Sequence, residues 1–260
     1  MEMAKEKKLT YLDFIDIYLR SFFIQTVWNF KGLVSLGLCF ALIPVANRLY
    51  KKKEELQAFL ERHLSFFNTH PYFSSFALGA LAKLEENYAN GQLDNAEQIV
   101  KFRNAIIGPL GLGGDQLFWA VIKPASILVG VAGLIAVDRL SIKLICLALF
   151  LILYNTPHFY IRYLGLKKGY EEGFGVYKIL KVEYFNFLVK PYRFLGSLAL
   201  GFVIGYMLIS SASQHTSYLA VFLISMLSAA YLRQNRQMVY LPVIIPVIIS
   251  LIIGFFFKGL

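Results

Sequence analysis

The sequence predicts an all-α integral membrane protein in which an amphipathic and re-entrant helical region precedes about five transmembrane helices. Of 260 residues, 57% are hydrophobic and 16% are charged, whereas soluble domains average about 45–50% apolar and about 25% charged residues. The later part of the chain contains several long apolar runs, and roughly twenty apolar residues are needed for a helix to cross the hydrocarbon core. Composition and run length together indicate a chain embedded in a membrane.

The composition changes near Gly114 and divides the chain into two regions. Residues 1–116 are amphipathic with mixed charge, and residues 117–260 are apolar runs separated by short polar ones. The five predicted spans are 117–137, 144–164, 194–212, 218–232 and 239–257. An earlier apolar run, 33–46, contains Pro44 and is too short for a span, so it is predicted to be re-entrant or interfacial.

The net charge of +10 is distributed as a membrane topology signal. Lys and Arg flank the apolar runs, which fits the positive-inside rule better than the basic stripe of a nucleic-acid-binding protein, so no nucleic acid partner is predicted. With everything before Asp115 in the cytoplasm, 22 of the 26 Lys and Arg residues lie on the cytoplasmic side. The N-terminus is therefore predicted inside and the C-terminus outside.

Two amphipathic helices are predicted in the polar half. The first has one apolar stripe at helical spacing, made of Leu56, Phe59, Leu60, His63, Leu64 and Phe67. Pro71 ends this stripe, because proline cannot donate the helical hydrogen bond. The second helix carries Tyr72, Phe76, Ala80, Leu84 and Tyr88 on one face and stops at Asn90-Gly91. Both helices are predicted to pack on the membrane region or on another chain.

The segment FFNTHP places Asn68, Thr69 and His70 between two phenylalanines and Pro71. One interpretation is an ordinary corner between helices, with Asn68 and Thr69 capping the second helix. The other is a broken helix whose polar side chains and free backbone groups line a cavity for a hydroxylated ligand, as discontinuous helices do in transporters. The spacing alone leaves both open.

The segment GPLGLGGDQLFW joins the two regions. Its helix-breaking residues predict an irregular stretch rather than a stable helix; they are Gly108, Pro109, Gly111, Gly113 and Gly114. Asp115 and Trp119 follow at i and i+4 of a helix, where a carboxylate that accepts sugar hydroxyls and an indole that stacks on a sugar ring lie on one face. The alternatives are a helix N-terminal acid and an interfacial tryptophan.

Lys123 lies one turn beyond Trp119, beside Pro124. The sequence allows two interpretations. Its ammonium group either extends to the cytoplasmic interface or pairs with an acid of a partner subunit.

Four segments also resemble one protein family, in the same order along nearly the whole chain. They are QTVWNF at residues 25–30, FFNTHP, GPLGLGGDQLFW, and RYLGLKKGYEEG at residues 162–173. The chain is therefore similar to the IID component of mannose/fructose/sorbose phosphotransferase systems. Two departures are Gln116, where the family usually has Ser, and the residues after Asn29.

The resemblance implies a non-catalytic subunit of a bacterial cytoplasmic-membrane permease. IID would pair obligately with IIC to form the path of a hexose or amino-hexose, in a trimer of IIC–IID pairs. Phosphate would pass through IIA to a histidine of IIB, which phosphorylates the sugar. By this resemblance Asn68, Thr69, His70, Asp115 and Trp119 become candidates for sugar contact. Pro71, the Gly108 to Gly114 segment and Lys123 become gate or structural candidates.

Two other functions remain open. A scaffold or receptor without sugar contact fits the same composition. A membrane metalloenzyme is disfavoured, because His63 and His70 are separated by a broken helix and no HExxH motif accompanies them. We predict no cofactor and no metal.

Overall fold

The computed structural model describes residues 6–214 together with Leu223, Leu227, Ile244 and Ile248. The α-helices are α1 Tyr11–Ser21, α2 Ser35–Leu49, α3 Lys53–Leu64, α4 Ser74–Ala89, α5 Glu97–Gly114, α6 Lys123–Ala136, α7 Leu140–Glu172 and α8 Asn186–Gln214. A π-helical segment, Asp115–Ile122, joins α5 to α6, and two 3₁₀ segments, Gly173–Ile179 and Val182–Phe185, separate α7 from α8. Residues up to Gly196 form one compact unit, and Ser197 begins a second.

Three stretches are long and apolar enough to cross a membrane: Glu97–Ala136, Leu140–Ile179 and Glu183–Ser210. Apart from Val137 and residues 211–212, the first three predicted spans fall within these stretches, which confirms the predicted class of an all-helical membrane protein. Each helical stretch begins before its predicted span, and the first begins at Glu97 rather than at Leu117. The predicted spans 218–232 and 239–257 lie outside the continuously described residues.

The prediction of an irregular stretch at Gly108 to Gly114 is wrong. Helix α5 runs through Pro109 and continues without a break into the π-helical segment. Helical backbone satisfies its own hydrogen bonds, which is the requirement in an apolar surrounding, and this outweighs the low helix propensity of glycine. Gly113 and Gly114 are buried in close contact with other residues, so they are present for packing and not for flexibility.

Helix α2, at the predicted re-entrant or interfacial run, is a core helix of the first unit. Residues Leu38, Leu42 and Val45 are fully buried, and α2 packs against α1, α3 and α4. Its 15 residues span about 22 Å at 1.5 Å per residue, which is less than the roughly 30 Å hydrocarbon core. The apolar sequence of α2 therefore reflects burial inside the protein.

The apolar stripe predicted for α3 is only partly observed. Phe59 and His63 are fully buried, whereas Leu60 and Leu64 are each 41% exposed. The helix ends at Leu64, so Phe67 leaves the stripe and is buried by pairing with Leu33 instead. The second predicted helix is confirmed as α4, which ends at Ala89 before Gly91 with its positive φ.

Helices α4 and α7 cross at backbone contact. A Cβ atom at Gly79 would lie 2.2 Å from the carbonyl oxygen of Leu166, and one at Gly169 would lie 2.3 Å from that of Phe76. Small residues permit such close approach between helices in membranes. The contact fixes the start of α4, and with it the FFNTHP segment, beside the middle of α7.

Candidate functional site

The structure brings the FFNTHP and GPLGLGGDQLFW segments together. The His70 ring stacks on Phe118 with centroids 5.2 Å apart, and it meets Trp119 edge-on at 5.6 Å. Gly114 lies directly against His70, because a Cβ atom at Gly114 would be 2.2 Å from the His70 Cβ. Any side chain at position 114 would displace the histidine. We call Asn68, Thr69, His70, Asp115 and Trp119 the motif cluster.

Two polar atoms of this cluster are buried without a hydrogen-bond partner among the described residues. They are Thr69 Oγ1 and His70 Nε2. Thr69 is 8% exposed and His70 is 3% exposed. The Tyr72 backbone N–H donates to His70 Nδ1 at 3.3 Å, which leaves the imidazole proton on Nε2. An unpaired buried donor or acceptor costs about 1–3 kcal/mol. These groups are therefore suited to binding a polar ligand.

His70 is uncharged at neutral pH. Burial, followed by the positive charges of Arg162 and His158, lowers the pKa of His70 to about 4. A neutral imidazole with its proton on Nε2 is a hydrogen-bond donor that carries no charge. It suits a neutral hydroxyl better than an anionic ligand.

The remaining three members of the cluster are accessible. Asn68 and Asp115 are exposed, and Trp119 is 48% exposed. The capping interpretation of FFNTHP is wrong, because α4 begins without a side-chain cap and neither Asn68 nor Thr69 bonds to its first turn. The helix N-terminal interpretation of Asp115 is wrong as well, since the Asp115 N–H bonds to Gly111 and Leu112 within a continuous helix.

Asp115 and Trp119 were predicted to lie one turn apart on an α-helix, and this prediction is wrong in the type of helix. Both residues lie in the π-helical segment, which is a rare conformation often found at functional sites. Lys123 places its ammonium group 4.1 Å from the centroid of the Trp119 ring. This cation–π contact is an arrangement that neither interpretation of Lys123 anticipated.

The outer part of the glycine-rich segment faces a different cavity. Gly108 and Pro109 line an open cavity of about 820 Å³ together with Tyr177, Lys181 and Glu183. A Cβ atom at Gly108 or at Gly111 would meet nothing within 4 Å. These two glycines are not required by packing within this chain.

Comparison with known proteins identifies the family of the chain. Residues 8–258 match the model of the PTS system mannose/fructose/sorbose family IID component. The chain belongs to this family. Among its relatives, the mannose-specific EIID component of Escherichia coli K12 is 34% identical over 77% of this chain and 69% of its own length. The fructose permease IID component of Bacillus subtilis is 31% identical over 76% and 70%.

A solved structure extends the similarity from sequence to fold. The complex of the mannose transporter ManYZ with microcin E492 contains a chain that is 33% identical to this one. It matches with a TM-score of 0.60 over 75% of this chain and 70% of that chain. This chain is thus a PTS IID component with the fold of a known membrane transporter subunit.

A buried ion network in this IID chain was missed by the sequence analysis. The Glu85 carboxylate is fully buried and accepts hydrogen bonds from Tyr50 at 2.5 Å, Arg62 at 2.8 Å and His63 at 2.8 Å. Burial alone would raise the pKa of Glu85, but the bonds from His63 and Arg62 lower it to about 2. The available signal was that residues 76–82 of α4 are apolar or glycine on all sides, so an acid soon after them had to be paired.

The histidines considered for a metal site lie in separate surroundings. His63 bonds to Glu85, whereas His70 stacks on Phe118. Within the described part of the chain, no three His, Cys, Asp or Glu side chains are grouped in a way that would hold a metal ion.

Proposed function

We propose that this chain is the IID subunit of a mannose-type permease and forms the sugar path together with a IIC subunit. The sugar is a hexose or amino-hexose, taken up across a bacterial cytoplasmic membrane and phosphorylated by IIB, which receives phosphate from IIA. The chain itself is non-catalytic. Membership of the IID family and the ManYZ fold support the pairing with IIC, and a trimer of such pairs is the assembly we propose.

The observation that carries the sugar-binding part is the motif cluster. Thr69 Oγ1 and His70 Nε2 are buried and have no hydrogen-bond partner among the described residues. The His70 ring meets the accessible indole of Trp119 edge-on, and the exposed Asp115 belongs to the same π-helical segment as Trp119. Sugar recognition requires hydrogen bonds to hydroxyl groups and an apolar ring face for stacking, and the cluster offers both. Gly114 and Pro71 hold the cluster in shape, while Lys123 lies over the Trp119 ring and orients it.

The experiment measures sugar affinity of the purified IIC–IID complex for Asp115→Asn and Trp119→Ala. Hydrogen bonds to a charged group contribute about 1.5–3 kcal/mol, so Asp115→Asn should weaken binding roughly ten- to a hundredfold. Asp138→Asn is the matched control, because Asp138 is also exposed and lies in the connection between α6 and α7. Unchanged affinity in both variants would assign the sugar to IIC alone and leave this chain as a scaffold or receptor.

A further inference from the structure

Arg162 is a buried cation that has no counter-ion among the described residues. It lies in the membrane-spanning stretch of α7 and is only 3% exposed. Its Nε donates to His158 Nε2 at 2.8 Å, and its Nη1 donates to the backbone carbonyl and the hydroxyl of Ser21. All of these acceptors are neutral. A buried charge inside a membrane protein is costly unless it is paired, and it marks a functional position.

No acidic side chain among residues 6–214 forms an ion pair with Arg162. The carboxylates with ion pairs in this part of the chain pair with other bases. Residues 215–260 contain no Asp or Glu, so Glu2 is the one acidic side chain outside the described residues. The carbonyl end of α1 supplies only a partial negative charge of about one half.

One nitrogen of Arg162 remains available. Its Nη2 makes no hydrogen bond to a described residue, yet it does not belong to the fully buried unpaired atoms. It is therefore reachable from outside. Buried Arg103 differs, because its two terminal nitrogens are occupied by the carbonyl and hydroxyl oxygens at the end of α3 and by Asn104.

His158 adds a second unpaired donor at this position. Because its Nε2 accepts from Arg162, its proton lies on Nδ1, and Nδ1 is buried without a partner in the described structure. The His158 ring is held against Tyr72 with centroids 4.0 Å apart, and the Arg162 guanidinium lies 4.8 Å from the centroid of the Phe22 ring. The aromatic contacts hold both side chains in place, and because His158 Nδ1 is buried, Nη2 of Arg162 is the donor that is open to an acceptor.

Two exposed aromatic residues lie near Arg162 on α7, and we call Phe159 and Tyr163 the apolar rim. They are 48% and 56% exposed, and Phe159 contacts Phe22, whose ring centroid lies 4.8 Å from the Arg162 guanidinium. A desolvated charge beside exposed aromatic residues is typical of an interface hot spot. We infer that Arg162 binds an Asp or Glu carboxylate of the IIC subunit across this rim. This inference rests on the proposed function, which supplies the partner.

A side-chain carboxylate is the acceptor that the geometry favours. Only a small part of the guanidinium is reachable, and a carboxylate at the tip of a side chain is small and planar, whereas a phospholipid phosphate carries two bulky substituents. Bonds between Arg and a carboxylate are charge-assisted and strong.

The test places a photo-crosslinking phenylalanine analogue at position 159 or 163 in the chain co-expressed with IIC. We expect ultraviolet light to link it to a IIC peptide that contains an Asp or Glu. Adducts confined to lipid, or to the peptide carrying Glu2, would overturn the inference.

Substitution of Arg162 is the second part of this test. Arg162→Gln should reduce the IIC recovered with this chain about tenfold, and Arg162→Glu should regain IIC when the linked acid is changed to Arg. Arg103→Gln is the control for loss of a buried arginine, and no acid-to-Arg change in IIC should rescue it. Normal recovery of IIC and normal sugar binding with Arg162→Gln would defeat the inference while leaving the proposed function intact. Failure of the unaltered chain to bind IIC would defeat the proposed function itself.

Discussion

At the residue scale, the shape of the candidate sugar site depends on the close approach of two segments that are distant in sequence. Gly114 and His70 are in contact because position 114 has no side chain. His70 Nε2 has no hydrogen-bond partner among the described residues, so a displacement of the His70 ring should alter binding.

Gly114→Ala and Gly108→Ala test this contact as a matched pair. A methyl group at Gly114 would overlap the His70 side chain, so we expect a loss of about 1–3 kcal/mol in unfolding free energy together with weaker sugar binding. Gly108→Ala meets nothing within 4 Å and should stabilise the helix by roughly 0.5–1 kcal/mol. Denaturant unfolding and sugar affinity of the complex measure both effects. Equal behaviour of the two variants would show that the Gly114–His70 contact is unimportant.

At the element scale, the Glu85 network joins α2, α3 and α4 through Tyr50, Arg62 and His63. Glu85→Gln leaves the Arg62 charge without its partner, and breaking a buried pair costs about 3–5 kcal/mol. The control is Glu97→Gln, which removes an exposed ion pair with Lys101 and should have little effect. Denaturant unfolding of the purified chain or complex measures the free energy of unfolding of both variants. An equal loss of this free energy in Glu85→Gln and Glu97→Gln would contradict a stabilising role of the network.

The same network predicts how stability responds to acid. The pKa of Glu85 falls from an ordinary 4.5 to about 2 on folding, so the unfolded state binds more protons between these values. The stabilisation is therefore complete above about pH 4.5 and is lost as the pH falls toward 2. Glu85→Gln should flatten the stability profile in this window. An identical profile in both proteins would contradict the assignment.

The sequence predicted where the helices lie better than it predicted which of their side chains are buried. Spacing identified α4 and its end at Asn90-Gly91, and run length identified the three long apolar stretches. Residues 108–114 were predicted wrongly because helix propensity takes no account of an apolar environment. The buried charges at Glu85 and Arg162 were missed because their burial depends on contacts between helices distant in sequence, with α2 and α3 at Glu85 and with α1 at Arg162. The two segments of the motif cluster were singled out by their residue patterns and by the family resemblance, while the unpaired atoms of the cluster emerge only from the packing.

At the scale of the whole molecule, the distribution of basic residues predicts the orientation in the membrane. With the N-terminus in the cytoplasm, the connection between α6 and α7 lies outside and the connection between α2 and α3 lies inside. A membrane-impermeant thiol reagent applied to intact cells should therefore label a cysteine at Asp138 and miss one at Lys52. The natural Cys39 and Cys146 are replaced beforehand. The opposite labelling pattern would reverse the orientation.

The most direct test of the central claim, that the FFNTHP segment contacts the sugar, is the affinity of the IIC–IID complex carrying Thr69→Val. Valine has nearly the same shape as threonine but lacks the hydroxyl, which is buried and has no hydrogen-bond partner among the residues that the structure describes. Removing an unsatisfied hydroxyl relieves its desolvation cost, so the sugar-free complex should be at least as stable as the natural one. Losing a neutral hydrogen bond of about 0.5–1.5 kcal/mol should weaken sugar binding about three- to tenfold. Undiminished affinity at undiminished stability would contradict the account, because the Thr69 hydroxyl would then have no role in binding.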